Sequence, residues 1–260
     1  MQPRSPFDAA PRSRYNRGMS LVDLLPVTVG AVTDPGMVID VVATFLAALS
    51  GAIFAVERKF AVTGVLAIAI ATGIGGGVLR DVLLQQPPVS FNELVYMPTA
   101  IVAALVGFFF ISLARRGGTI ILILDPIWMG LFAVIGAQKA MNADLNALAA
   151  MLIGCVTAFG GGILRDLLSY EMPELVKPGP INYLAAILGS ILYVALVKWG
   201  HVDKVAAEWV TIVFVFGLRM LSLKFGIRAP QPVDLPAKLP GVAAAQVKRR
   251  RHRRRDDGGA

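Results

Sequence analysis

One cysteine, two histidines and 17 acidic residues are all that this chain of 260 residues offers to metal or acid–base chemistry. The lone thiol, Cys155, excludes an intrachain disulfide and cannot build a cysteine metal cluster. His201 and His252 are 51 positions apart and lack the short spacing of a histidine metal site. Charge is scarce too: 16% of residues are charged and 56% are hydrophobic, with a mean hydropathy of +0.67. That balance is too apolar for a soluble domain and fits a polytopic helical membrane protein. Enzyme readings fare poorly. No Gly-Lys-Ser/Thr ends the glycine-rich runs, so they are not phosphate loops. No Ser-His-Asp set or neighbouring acid–base pair stands out. An enzyme, a cofactor and a bound metal are therefore not expected.

What the chain does contain, it contains twice. Gly75-Gly76-Gly77-Val78-Leu79-Arg80-Asp81 recurs as Gly160-Gly161-Gly162-Ile163-Leu164-Arg165-Asp166, displaced by 85 positions. At the same displacement Asp40 falls on Asp125, Ala48 on Ala133, Gly51 on Gly136, Ala55 on Ala140 and Pro88 on Pro173. No insertion separates these matches, so the chain holds an internal repeat. The copies are imperfect: Gly73 matches Ala158, and Pro87 matches Met172.

Apolar runs of roughly 20 residues mark membrane spans. Seven are expected: Val38 to Val56, Phe60 to about Leu84, Leu94 to Ala114, Thr119 to Ala140, Leu145 to Leu168, Pro180 to Val197, and Trp209 to Leu223. Three spans fall in each repeat and one is left over. Because three is odd, the second repeat enters the membrane in the opposite sense. The expected fold is an all-α polytopic membrane protein: seven transmembrane helices as two inverted three-helix repeats plus one extra helix. The boundaries are an N-terminal extension over 1–37, a first repeat over 38–116, an inverted repeat over 117–200, a seventh helix over 201–228 and a tail over 229–260.

The two ends differ from this middle. Met1 to about Met19 is rich in Arg, Ser and Pro and reads as disordered. Leu21 to Gly36 is broken by Asp23, Pro26, Asp34 and Pro35, which fits a short interfacial segment rather than a signal peptide. Pro230, Pro232, Pro236 and Pro240 open an extended C-terminal region. It ends in Lys248, Arg249, Arg250, Arg251, Arg253, Arg254 and Arg255, which carry most of the net charge of +8. After a membrane domain such a run is read as facing anionic lipid headgroups, not nucleic acid. Loop Lys and Arg place Arg58-Lys59, Arg115-Arg116, Lys177 and this tail in the cytoplasm. The N-terminus is then outside an inner, multi-pass membrane.

Glycine triplets inside spans leave room for a helix break or a close backbone approach. Close packing of small residues is one reading. A pore that borrows freed carbonyls is the other, and three consecutive glycines favour it. Arg80-Asp81 and Arg165-Asp166 sit where charge is costly unless paired. Side chains one residue apart do not face each other on a helix. Each Arg is therefore expected to meet an acid from another helix, Asp40 or Asp125, serving as structural ion pair or gate.

Leu49-Ser50-Gly51-Ala52, the run Thr72 to Asp81, Phe132 to Ala140, the second glycine motif, and Leu218-Arg219 before Phe225-Gly226-Ile227-Arg228 resemble the prokaryotic trimeric intracellular cation (TRIC) channel family. The resemblance spans about Val38 to Arg228. It implies a homotrimer with one pore per protomer, between the second and fifth spans, conducting monovalent cations and chiefly potassium. Gly75, Gly76, Gly77, Gly160, Gly161 and Gly162 would form pore kinks, with Arg80, Asp81, Arg165 and Asp166 beside them. Lys139 matches the region of a basic gating residue, and Asp40, Asp125 and Arg219 are supporting charges. One charge crossing the field gains only about 2.3 kcal/mol per 100 mV, so Lys139 alone implies shallow voltage dependence. Inverted repeats with broken helices also suit a secondary transporter of a small solute such as an amino acid.

Overall fold

The computed structural model describes residues 35–111, 117–173, 175–176 and 183–225. The N-terminal extension, most of the interfacial segment, Arg115-Arg116, Lys177 and the basic tail lie outside the described residues. Among those described, eight helices follow one another. They are α1 (Pro35–Glu57), α2 (Val62–Leu83), α3 (Val89–Asn92), α4 (Tyr96–Ile111), α5 (Gly117–Asn142), α6 (Ala147–Leu168), α7 (Tyr183–Lys198) and α8 (Lys204–Phe225). Five are long and apolar enough to cross a membrane: α1, α2, α5, α6 and α8. The other two apolar helices, α4 and α7, have 16 residues each. At 1.5 Å per residue these cover only about 24 Å. The second and fifth expected spans are α2 and α6.

Helix starts and stops explain where sequence and structure part company. The Asn146 side chain accepts from the Ala149 N–H at 2.8 Å and caps α6. Asp203 does the same for α8, accepting from Val205 and Ala206 N–H groups. This cap starts α8 at Lys204, five residues before the expected Trp209, and draws the buried Glu208 into the helix. Helix ends repeat with the sequence. Lys59 and Asp144, then Gln85 and Tyr170, take left-handed φ values of 60°, 57°, 55° and 56°. Each pair is 85 positions apart. The closing hydrogen bonds repeat as well, Gln86 N–H to Asp81 C=O and Glu171 N–H to Asp166 C=O, both 2.9 Å.

Packing completes the two-fold plan. Helices α1, α2 and α4 pack on one another, as do α5, α6 and α7. The repeats meet first helix to first, α1 on α5, and second to second, α2 on α6, while α8 lies on α5 and α7. In lipid no hydrophobic drive joins helices, so close approach of small residues must supply contact. Accordingly Ala43, Ala47, Ala48, Ala52 and Ala55 of α1 are all fully buried. A side chain at Gly51 would strike Thr72, and one at its counterpart Gly136 would strike Thr157. Both threonines donate to the carbonyl four residues back, at 2.6 Å, which hides their hydroxyls.

Candidate functional site

The glycine triplets meet where α2 crosses α6. A Cβ on Gly76 would collide with the Thr157 carbonyl, and one on Gly161 with the Thr72 carbonyl. On Gly160 it would lie 3.3 Å from the Gly76 Cα and 2.8 Å from the Leu79 side chain. Contacts pair Thr72 with Gly161 and Gly76 with Thr157, so positions rise along one helix as they fall along the other. The two helices therefore cross antiparallel, as an inverted repeat requires. One expectation needs correcting here. Helix runs unbroken through both triplets, Val62–Leu83 and Ala147–Leu168. The glycines do not interrupt the backbone ladder; their missing side chains bring two backbones into contact.

Because the crossing is antiparallel, the two Arg-Asp pairs end up at opposite ends of the α2–α6 pair. Both arginines are only 2% exposed. At the α2 end, Arg80 Nε donates to Asp81 Oδ1 at 2.8 Å, and its Nη1 lies 3.8 Å from Asp40 Oδ2. Lys139 Nζ, on α5, reaches the same Asp81 Oδ1 at 2.8 Å. The other Asp81 oxygen accepts the Val89 N–H at 2.9 Å and so seats the short helix α3. Tyr96 Oη donates to Asp40 Oδ2 at 3.0 Å.

At the α6 end, Arg165 Nε donates to Asp166 Oδ1 at 3.0 Å and Nη1 to Asp125 Oδ2 at 3.5 Å. Asp125 Oδ1 also accepts from Trp128 Nε1 at 3.0 Å and from Ser50 Oγ. The Phe54 ring lies under the Arg165 guanidinium, 4.4 Å from its centroid, and under Arg58 at 3.3 Å. Arg58 in turn pairs with Glu171 at 2.5 Å near the surface.

The expected cross-helix partners of the arginines, Asp40 and Asp125, are thus in place. A second correction concerns the neighbouring acids, which the structure also pairs with each Arg. The rule that adjacent positions diverge describes Cβ directions. A guanidinium on a long stem has donors enough to take its neighbour through Nε and a distant acid through Nη1. Lys139 joins one cluster only. Arg219 is buried on α8. Ser50, Phe54, Tyr96 and Trp128 were not legible as site residues. Tyr96 had one usable signal, since Tyr183 likewise opens the third helix of the other repeat. Trp128 had another, standing one turn beyond Asp125. Among the described residues no three His, Cys, Asp or Glu side chains gather as a metal site.

Residues 37–112 and 122–198 each match the family model described as Glycine transporter. The inner membrane protein YadS of Escherichia coli (strain K12), designated UPF0126, is 30% identical over 197 residues, 74% of this chain and 93% of that protein. A UPF0126 membrane protein of Streptomyces coelicolor is 38% identical over 202 residues, 77% of this chain and 92% of that protein. The crystal structures of the TRIC channel orthologue from Rhodobacter sphaeroides superpose with a TM-score of 0.69 at 30% identity, covering 74% of this chain and 98% of that one. The chain belongs to the prokaryotic TRIC family. The doubled match falls on the two repeats of the TRIC fold seen here. A second solved TRIC cation channel gives 0.68 at 30% identity, over 75% of this chain and 95% of that one. A Caenorhabditis elegans TRIC structure, at 15% identity and 0.53, shows the shared fold alone. The chain is thus a multi-pass membrane protein of a channel and transport family, not an enzyme.

Proposed function

We propose that this chain is a monovalent cation channel, chiefly for potassium, working as a homotrimer with one pore in each protomer between α2 and α6. The observation that carries the reading is the antiparallel glycine crossing flanked at both ends by buried Arg–Asp clusters. Charges of both signs buried in a membrane protein are costly and mark a polar path. Glycine leaves no side chain between the Thr72 and Thr157 carbonyls and the partner helix, so polar backbone lines the crossing. The same contact seals the α2–α6 seam, so conduction requires these helices to part, and the seam is the natural gate. Relatives described as trimeric cation channels support the assembly and the permeant charge. We place the protein in an inner membrane, as the E. coli relative is named. The N-terminus is set outside and the basic tail, with its attraction for anionic lipid, in the cytoplasm.

Recording from purified protein in planar bilayers tests this. Unitary current steps are expected, with a reversal potential that follows the potassium gradient. A second reading, carriage of a small amino acid, draws on the Glycine transporter description of the matching model. Saturable glycine flux without unitary steps would establish that reading instead. For orientation, a C-terminal reporter active only in the cytoplasm should work, and an N-terminal one should not.

A further inference from the structure

Asp81 is fully buried and takes donors from three separate helices. Arg80 Nε of its own helix and Lys139 Nζ of α5 both reach Oδ1, at 2.8 Å each. The third donor is a backbone group. The Val89 N–H, which opens α3, reaches Oδ2 at 2.9 Å. A helix of four residues does not hold itself, so α3 must be seated by what it touches. Ser90 is buried against the bare Gly77, where a Cβ would lie 3.8 Å from its Oγ, while Phe91 and Leu94 stand exposed. Gly77 lies about one turn before Asp81. α3 therefore rests on the end of α2 at two points, one of them the carboxylate that also takes Lys139.

The Val89 N–H fixes a torsion that the aspartate leaves loose. The carboxyl torsion of Asp is broad and nearly two-fold, so the side chain alone does not set where its oxygens point. With Oδ2 held by α3, Oδ1 stays within reach of Lys139. Without that donor the carboxylate turns and holds Lys139 for less of the time. Lys139 is also the releasable contact, since its side chain is 26% exposed and can exchange Asp81 for water, whereas Arg80 is 2% exposed. It ties α5 of the second repeat to α2 of the first, so parting α2 from α6 stretches this bond. We propose that α3 is a positioning clamp of the gate: through the Val89 N–H it holds the Asp81 carboxylate toward Lys139 and so keeps the α2–α6 seam closed. The inference deepens the channel reading above and rests on it.

Val89→Pro removes this N–H and little else. Proline is well tolerated at the first position of a helix. Pro88 before it has φ −58° and ψ 120°, the extended form that a following proline demands. The bonds that close α3, Phe91 N–H to Pro88 C=O and Glu93 N–H to Val89 C=O, do not use it. In bilayer recordings of the full chain, Val89→Pro should raise the ratio of open to closed time about tenfold, the worth of one hydrogen bond to a charged group. Phe91→Ala alters the exposed face of α3, keeps the N–H, and should leave the ratio as it was. In a Lys139→Gln background Val89→Pro should have no further effect, because the clamp acts through Lys139. An ester oxygen in place of the Val89 N–H is the second variant, and it should act as Val89→Pro does even if the proline disturbs assembly. A ratio that both changes leave unaltered, or that they raise equally with and without Lys139, overturns the proposal and leaves the channel reading standing. Glycine flux with no unitary steps overturns both.

Discussion

The two glycine helices share a motif, a length of 22 residues and a common crossing, yet their charged ends are built differently. At the end of α2, one carboxylate carries the load. Asp81 takes Arg80, Lys139 and the Val89 N–H together. At the end of α6 the load is shared, because Arg165 divides its donors between Asp166 and Asp125 while a ring covers its face. The difference teaches how an inverted repeat becomes asymmetric without altering its backbone. The motif residues, which meet their own copies at the crossing, stay the same. The residues lent by the opposite repeat, Phe54 and Lys139, are free to diverge, because each one faces a different partner.

The sharpest way to break the comparison is to deny that the ends are inverted. Gln85 and Tyr170 hold equivalent exposed positions just past α2 and α6. In a Cys155→Ala background, Gln85→Cys should react with a membrane-impermeant thiol reagent from one side only, and Tyr170→Cys from the other only. Labelling of both from the same side would refute the antiparallel plan. The effect is all or none.

The next largest effect sets the two acids against each other. Asp81→Asn takes the shared carboxylate from Arg80 and Lys139 and leaves Arg80 only the longer pairing with Asp40 at 3.8 Å, which should cost about 3–5 kcal/mol of stability, as breaking a buried pair does. Asp166→Asn leaves Arg165 its bond to Asp125, and about 2 kcal/mol is expected for the lost charged hydrogen bond. Thermal unfolding in detergent checks this; equal losses would show that load is not concentrated on Asp81.

The triplets offer a finer comparison. Gly76→Ala and Gly161→Ala drive a Cβ into a carbonyl of the partner helix and should each cost about 1–3 kcal/mol, with loss of ion flux. At Gly77 a Cβ meets nothing nearer than 3.7 Å, so Gly77→Ala should gain up to about 1 kcal/mol from helix propensity. Its counterpart Gly162→Ala meets the Tyr183 hydroxyl at 3.0 Å and should lose that gain. The smallest effect belongs to the surface: Glu171→Gln, in a pair about one-third exposed, should change stability by no more than about 1 kcal/mol.

Much of this was written in the order of residues. Apolar runs set the helices to within a few residues, and the 85-residue displacement carried even the left-handed helix ends at Lys59 and Asp144. Three spans per repeat made the second copy inverted by parity alone, and burial of charge in an apolar chain demanded partners such as Asp40 and Asp125. Other features lay beyond that reach. A glycine triplet is compatible with a broken helix or a tight crossing, and only the approach of Thr157 and Thr72 backbones selected the crossing. Nor does sequence say which distant side chain fills the space beside a guanidinium. Phe54 looks like any apolar residue of α1, and Ser50 like any small one, until α1 is laid against α5 and α6. Periodicity reports which face of a helix is apolar, but the identity of the neighbour is a property of three dimensions. The repeat was determined by the chain itself; the inequality of its two ends was decided by packing.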